Sequence, residues 1–183
     1  MSNRKDIKNQ HESYVITEFV KHLTNTTGKE YRLISRPEPP DAILQCDDLM
    51  LWVEVADIFR NPDEAHEIYS LVTPDEDKYT HREHPIMEPD KRLACKLLDV
   101  LMKKVSKKSY EETTNLYRRG ILILNENDPL FSASTLHEIE DLIKDAKTDL
   151  DIQSKYFNSV YLSYRNLRSL VFQKLLELPI RLS

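Results

Sequence analysis

The stretch PPDAILQCDDLMLWVEVADIF, residues 39–59, sets one acid on each side of the pair Asp47-Asp48, within two apolar runs. Two apolar runs around a two-residue turn predict a β-hairpin with strands over 41–46 and 49–56. That turn pairs positions whose numbers sum to 95, so Asp41 falls opposite Glu54. Directly opposed side chains share a face, with Cβ atoms about 4.5–5.5 Å apart. The other face carries Ala42, Leu44, Leu51, Val53 and Val55, an apolar set that belongs in a core. Ile43, Met50, Trp52 and Ala56 accompany the two acids, so their face needs cover as well. Two carboxylates in such a place repel one another and resist desolvation. A divalent cation between them offsets both penalties, and Mg²⁺ is commonly held by one or two carboxylates, completed by water and substrate phosphate. A register shifted by one residue would instead turn one acid to solvent.

Two more charged side chains fall on apolar helix faces. At about 100° per residue, Glu12 lies within the stripe of Val15, Ile16, Phe19 and Leu23, while Glu18 points away. An acid near a helix start also suits the dipole. In the run from residue 91 to 108, Lys104 lies within the stripe of Leu93, Leu97, Val100, Leu101 and Val105. Lys96, Lys103 and Lys107 lie further round, and Lys108 sits near the helix end, where a base is favourable anyway. A lysine in a stripe can also simply cover apolar surface with its stem. His81 and His84 have a spacing that could suit a metal on a helix, but the prolines around them predict an unconstrained loop pair. Tyr161, Tyr164, Arg165 and Arg168 could stack on nucleic acid and neutralise it, or be ordinary strand residues.

The elements that must position these residues follow from periodicity. Residues 10–24 read as a helix, broken at NTTGKE; 31–35 as a strand; 36–40 as a proline-broken link to the hairpin. Residues 57–89 show no sustained period and read as a long excursion. Asp90 is a candidate N-cap for the helix over 91–108, Gly120 precedes a strand over 121–124, and Thr135 with Glu138 suggests a capping box for a helix to 147. A strand over 159–164 and a helix over 167–178 close the chain. The order predicts an α/β domain with a mixed sheet, spanning 1–183.

Composition bounds the chemistry. With 183 residues, 31% charged and 40% hydrophobic, the chain has a globular composition. Its two glycines lie in no Gly-rich loop, which excludes a P-loop or dinucleotide fingerprint, and no CxxC, HExxH or G-x-S-x-G occurs. Cys46 and Cys95 are expected to be buried reduced thiols. The net charge of −5 is local: residues 57–89 hold nine acids and three bases, a net −6, which leaves about +1 elsewhere. The opening MSNRKDIKNQ lacks a signal-peptide apolar segment, and no apolar run approaches spanning length, so a cytoplasmic protein without a membrane is expected.

Pro40-Asp41, with Glu54 late in the second hairpin strand, resembles the PD-(D/E)XK nuclease superfamily. The likeness covers residues 10–124, about two thirds of the chain. It implies a restriction-endonuclease-like αβββαβ core, Mg²⁺ or Mn²⁺ at Asp41 and Glu54, and phosphodiester hydrolysis in DNA or RNA, with a homodimer as one option. It further implies that Glu12 joins the metal site from the first helix. The family's lysine should stand two residues after Glu54, where this chain has Ala56; Lys104 is the substitute that the helix stripe offers. The alternative is a catalytically silent nuclease-fold protein that binds nucleic acid or a protein partner.

Overall fold

The computed structural model describes residues 4–59, 88–127, 131–166 and 169–179. Helix α1 (Arg4–Thr27) buries Val15, Ile16, Phe19 and Leu23. It stops at Gly28, whose left-handed φ of 71° lets its N–H reach the Thr24 carbonyl at 2.9 Å. Strand β1 (Arg32–Ser35) then leads to the hairpin of β2 (Ala42–Cys46) and β3 (Leu49–Ile58). Asp47 takes a φ of 53° at the turn, a conformation that Asp tolerates. The pairing runs from Ala42 opposite Val53 to Cys46 opposite Leu49, the register expected from the two-residue turn.

Helix α2 (Pro89–Val105) follows, then a 3₁₀ turn (Lys108–Tyr110), a short helix α3 (Glu111–Tyr117) and strand β4 (Gly120–Glu126). Helices α4 (Ala133–Asp145) and α5 (Lys147–Gln153) lead to strands β5 (Phe157–Asn166) and β6 (Ser169–Glu177). The six strands form one mixed sheet in the order β1-β2-β3-β4-β5-β6. β3, β4 and β5 run parallel, while the outer pairings are antiparallel. Helix α1 covers one face, over Ala42, Leu44, Val53, Val55, Ile121 and Ile123. On the other, α2, α4 and α5 bury Ile43, Trp52, Ala56, Ile58, Leu122 and Leu124. Cover on both faces is why β3 and β4 are apolar at almost every position.

Several sequence expectations need correction. The C-terminal run over 167–178 is the strand β6 where described, not a helix, and pairs antiparallel with β5. Its register breaks opposite Val160 and Tyr161, so Phe172 faces the α1 side and Leu176 the α2 side. That bulge destroys strict alternation, and the resulting spacing imitates a helical period. Asp90 lies inside the first turn of α2 rather than capping it, behind Pro89; it accepts hydrogen bonds from Ser134 Oγ, at 2.6 Å, and from Thr135 Oγ1. The capping box of α4 uses Ser132 and Thr135, one turn earlier than Thr135 and Glu138. Cys46 is buried, but Cys95 is exposed; both are free. Residues 60–87, with His81 and His84 and nearly all of the acidic excursion, lie outside the described residues, as does Arg168. Among the described residues no helix is long and apolar enough to cross a membrane.

Candidate active site

Strand β3 carries Glu54 on the sheet face that α2 covers, beside Trp52 and Ala56. The side chain retains 9% of its exposure. Helix α2 brings its last turn over this point, and Lys104 Nζ lies 2.7 Å from Glu54 Oε1. The 3₁₀ turn after α2 adds Tyr110, fully buried, whose hydroxyl donates to the same oxygen at 2.7 Å. Lys104 also donates to that hydroxyl at 3.2 Å. Burial, then the charge of Glu54 and the hydrogen bond to it, push the Tyr110 hydroxyl upward, so it remains a donor. Glu54 Oε2 is buried and has no hydrogen-bond partner among the described residues. Lys103, one residue before Lys104, is exposed.

Asp41 stands one step beyond the paired residues of β2, at the position facing Glu54 in the continued register. Its Oδ2 accepts the Val55 backbone N–H at 2.7 Å. Burial, followed by the nearby negative charge of Glu54, raises its carboxyl from 3.8 to about 7, against the opposing pull of the Val55 N–H. Glu12 adds to that rise from α1. Glu12 itself is buried and bound by Lys8 Nζ at 3.2 Å and Arg36 Nη2 at 3.5 Å. Burial works against the charge on Lys8, but the bond to Glu12 together with the charges of Glu12, Asp41 and Glu38 outweighs it and leaves the ammonium above its ordinary value. Arg36 is anchored in turn, donating to the carbonyls of Asn9 at 3.0 Å and Asp41 at 3.2 Å. The link between β1 and β2 is thereby fastened to α1.

Two openings meet at Glu12. A cleft of about 690 Å³ is lined by Lys5, Lys8, Glu12, Val55, Ala56, Asp57, Val100 and Lys104, among others. A smaller one, about 250 Å³, is lined by Asn9, Glu12, Arg36, Pro37, Glu38 and Asp41. The four residues expected from the sequence, Asp41, Glu54, Glu12 and Lys104, thus surround one region at the end of α2. They do not form a ready metal cage: among the described residues no three or more His, Cys, Asp or Glu side chains gather closely enough to hold a cation.

Sequence reading missed Tyr110, Arg36 and a second polar network. The carboxyl ends of the parallel strands β3, β4 and β5 bring Asp57, Asn125 and Ser163 together beneath His11 of α1. Asn125 Nδ2 donates to Asp57 Oδ1 at 2.7 Å, Ser163 Oγ donates to Asn125 Oδ1 at 2.8 Å, and His11 Nε2 lies 3.3 Å from Asp57 Oδ1. Burial would raise the Asp57 carboxyl, but His11 and the amides of Asn125 and Asn127 outweigh it and hold it below its ordinary value. Of the aromatic and basic residues near the last strands, Tyr161 is buried against Phe19, Tyr164 packs on Phe131, and Arg165 lies over the Tyr14 ring. Tyr161 and Tyr164 are thus engaged in packing contacts, Tyr161 buried and Tyr164 partly exposed. Comparison of the chain with protein-family models, curated proteins and solved structures finds no match.

Proposed function

We propose that this protein is a Mg²⁺- or Mn²⁺-dependent phosphodiesterase acting on nucleic acid, built on a restriction-endonuclease-like αβββαβ core. The observation that carries this reading is the 2.7 Å approach of Lys104 to Glu54 across 50 residues of sequence. An acid lacking its lysine two positions on finds one from the facing helix. The order of α1, three antiparallel strands, α2 and β4 parallel to β3 supports the same reading.

The residues fit a hard divalent cation. Asp41 is held by one backbone N–H against two neighbouring acids, and Glu54 keeps a buried oxygen with no partner among the described residues. All donors are oxygens, as Mg²⁺ and Mn²⁺ prefer, and two carboxylates suffice when water and phosphate complete the shell. Asp41 and Glu54 would hold the cation, which supplies charge neutralisation at phosphate and a more acidic bound water. Glu12 adds negative charge beside Asp41, which a cation there would offset, while its own charge is met by Lys8 and Arg36. Lys104 offers an ammonium to the charge that grows on phosphoryl oxygens in the transition state. Lys5 and Lys8, on the cleft lining, are suited to flanking phosphates.

Two features favour the second reading, a silent nuclease-fold binder. The Lys104 ammonium is already engaged by Glu54 and Tyr110, and no three-ligand cluster is formed among the described residues. One comparison separates the two: Mn²⁺-dependent cleavage of DNA and RNA by the parent, Lys104→Ala and Lys103→Ala, each checked for folding. Loss of an electrostatic donor of this kind costs about 10²–10³ in rate. Lys104→Ala should show that loss and Lys103→Ala should not. Equal activity in both variants would exclude Lys104, and a parent that binds nucleic acid without cutting it would establish the silent binder.

A further inference from the structure

Lys104 stands between charges of opposite demand. Its ammonium, the Tyr110 hydroxyl and Glu54 Oε1 form a closed triangle with sides of 2.7, 3.2 and 2.7 Å. Glu54 and Tyr110 are buried, whereas the lysine side chain retains 23% exposure and lines the 690 Å³ cleft. An ammonium held this way is partly spent on Glu54 and is a weaker partner for an anion in the cleft. A carboxylate held this way is, for the same reason, a weaker ligand for a cation. The pattern repeats nearby, with Lys8 on Glu12 at 3.2 Å and Lys5 on Glu38 at 3.8 Å. The Lys5–Glu38 pair is exposed on both sides and exchanges at little cost, whereas Lys8 is half exposed over a buried Glu12. The buried pair decides the energetics.

Resting on the function proposed above, we propose that a divalent cation and a phosphodiester enter this cleft as a coupled pair, by exchange of partners at Lys104. Glu54 would pass from Lys104 to the cation. The released ammonium, still bonded to Tyr110, is then free to meet a phosphate oxygen. Either ligand alone leaves half of the exchange incomplete: a cation alone strands the ammonium in a partly buried place, and a phosphate alone strands the Glu54 carboxylate. Binding is therefore positively coupled, and by linkage each ligand raises the affinity of the other by the same factor.

The test is calorimetry on the full chain with Ca²⁺ alone, with short DNA or RNA oligonucleotides alone in EDTA, and with each pair together. A saturating oligonucleotide should raise Ca²⁺ affinity by about tenfold or more, and Ca²⁺ should do the same for the oligonucleotide, within the usual range of such couplings. Lys104→Met keeps the apolar stem and removes the charge. It should bind Ca²⁺ alone more tightly than the parent, because the competitor for Glu54 is gone, and should show a clearly smaller coupling. Should that variant not fold, the ¹⁵N resonance of the Lys104 ammonium in the parent must shift further with both ligands than with either alone. Equal Ca²⁺ affinity with and without oligonucleotide, an unreduced coupling in Lys104→Met, or an ammonium signal indifferent to the pair would each overturn partner exchange while leaving the phosphodiesterase reading intact. No Ca²⁺ binding in any arm would overturn both.

Discussion

Replacing Asp41 by Asn should stabilise the protein at alkaline pH, and the size of the effect follows from the site. Burial and the Glu54 charge raise the Asp41 carboxyl from 3.8 to about 7. The folded state therefore binds this proton more tightly than the unfolded chain does. Stability from this group is fully present below about pH 4, falls as pH rises, and is lost once pH has passed about 7. Each pH unit between those two values corresponds to about 1.36 kcal/mol, which sets a ceiling of about 4 kcal/mol. Asp41 keeps part of its exposure, so solvent screening brings the expected gain of Asp41→Asn at pH 8.5 to about 1–3 kcal/mol. Asn preserves an oxygen for the Val55 N–H, the contact that fixes the end of β2 on β3. Urea unfolding of parent and variant in EDTA, from pH 4 to 8.5, measures the difference directly. The two should coincide near pH 4 and diverge above pH 6. Mg²⁺ should narrow the gap by stabilising only the parent. A variant less stable than the parent at pH 8.5, or two profiles that stay parallel, would refute the placement of a strained carboxylate at this position.

Two further substitutions probe what surrounds the site. Tyr110→Phe removes one of the two donors to Glu54 Oε1 and leaves Lys104 in place; hydrogen bonds to charged groups contribute about 1.5–3 kcal/mol, and a loss near the lower end is expected in urea unfolding, so unchanged stability would disprove the bond. Gly120→Ala would drive a Cβ into the ring of Trp52, which is fully buried and bonded through Nε1 to the Arg118 carbonyl. Overpacking of this kind costs about 1–3 kcal/mol, and emission from Trp52, the chain's one tryptophan, should shift to the red; a variant with parental stability and emission would contradict that contact.

The hairpin is legible in the sequence because three independent signals agree there. Two acids at the turn, an apolar run on each side of it and an apolar face opposite the acids all specify one register, and that register alone brings Asp41 to Glu54. Lys104 is legible in part, since a charge inside an apolar stripe either covers that surface with its stem or meets a partner there, and the structure shows the second. Tyr110 is not legible. It lies in a polar stretch without periodicity, and its place under Glu54 depends on α2 ending at Val105, three residues before the end that the sequence suggests. Asn125 and Ser163 likewise look like strand residues until the parallel order of β3, β4 and β5 brings their ends together. β6 reads as a helix because a single bulge suffices to turn a period of two into something helical.

The meeting of a helix lysine with a strand acid has a physical logic. Glu54 and Ala56 share the sheet face on which α2 packs, and Ala56 is buried within the same core as Leu93, Leu97 and Leu101. A small residue at 56 leaves room for α2 to lie close to the strand. Close packing in turn brings the last turn of α2 within one lysine length of Glu54. From there the ammonium reaches the carboxylate from the helix side, with its stem along the cleft that Val100 and Ala56 line. A lysine on the strand would begin inside the core and have to leave it. A lysine on the helix begins at the cleft, with 23% of its side chain still exposed. That partial exposure keeps the ammonium at the cleft while it holds Glu54. Alanine at position 56, buried against α2, is thus in keeping with the close approach of the helix lysine to Glu54.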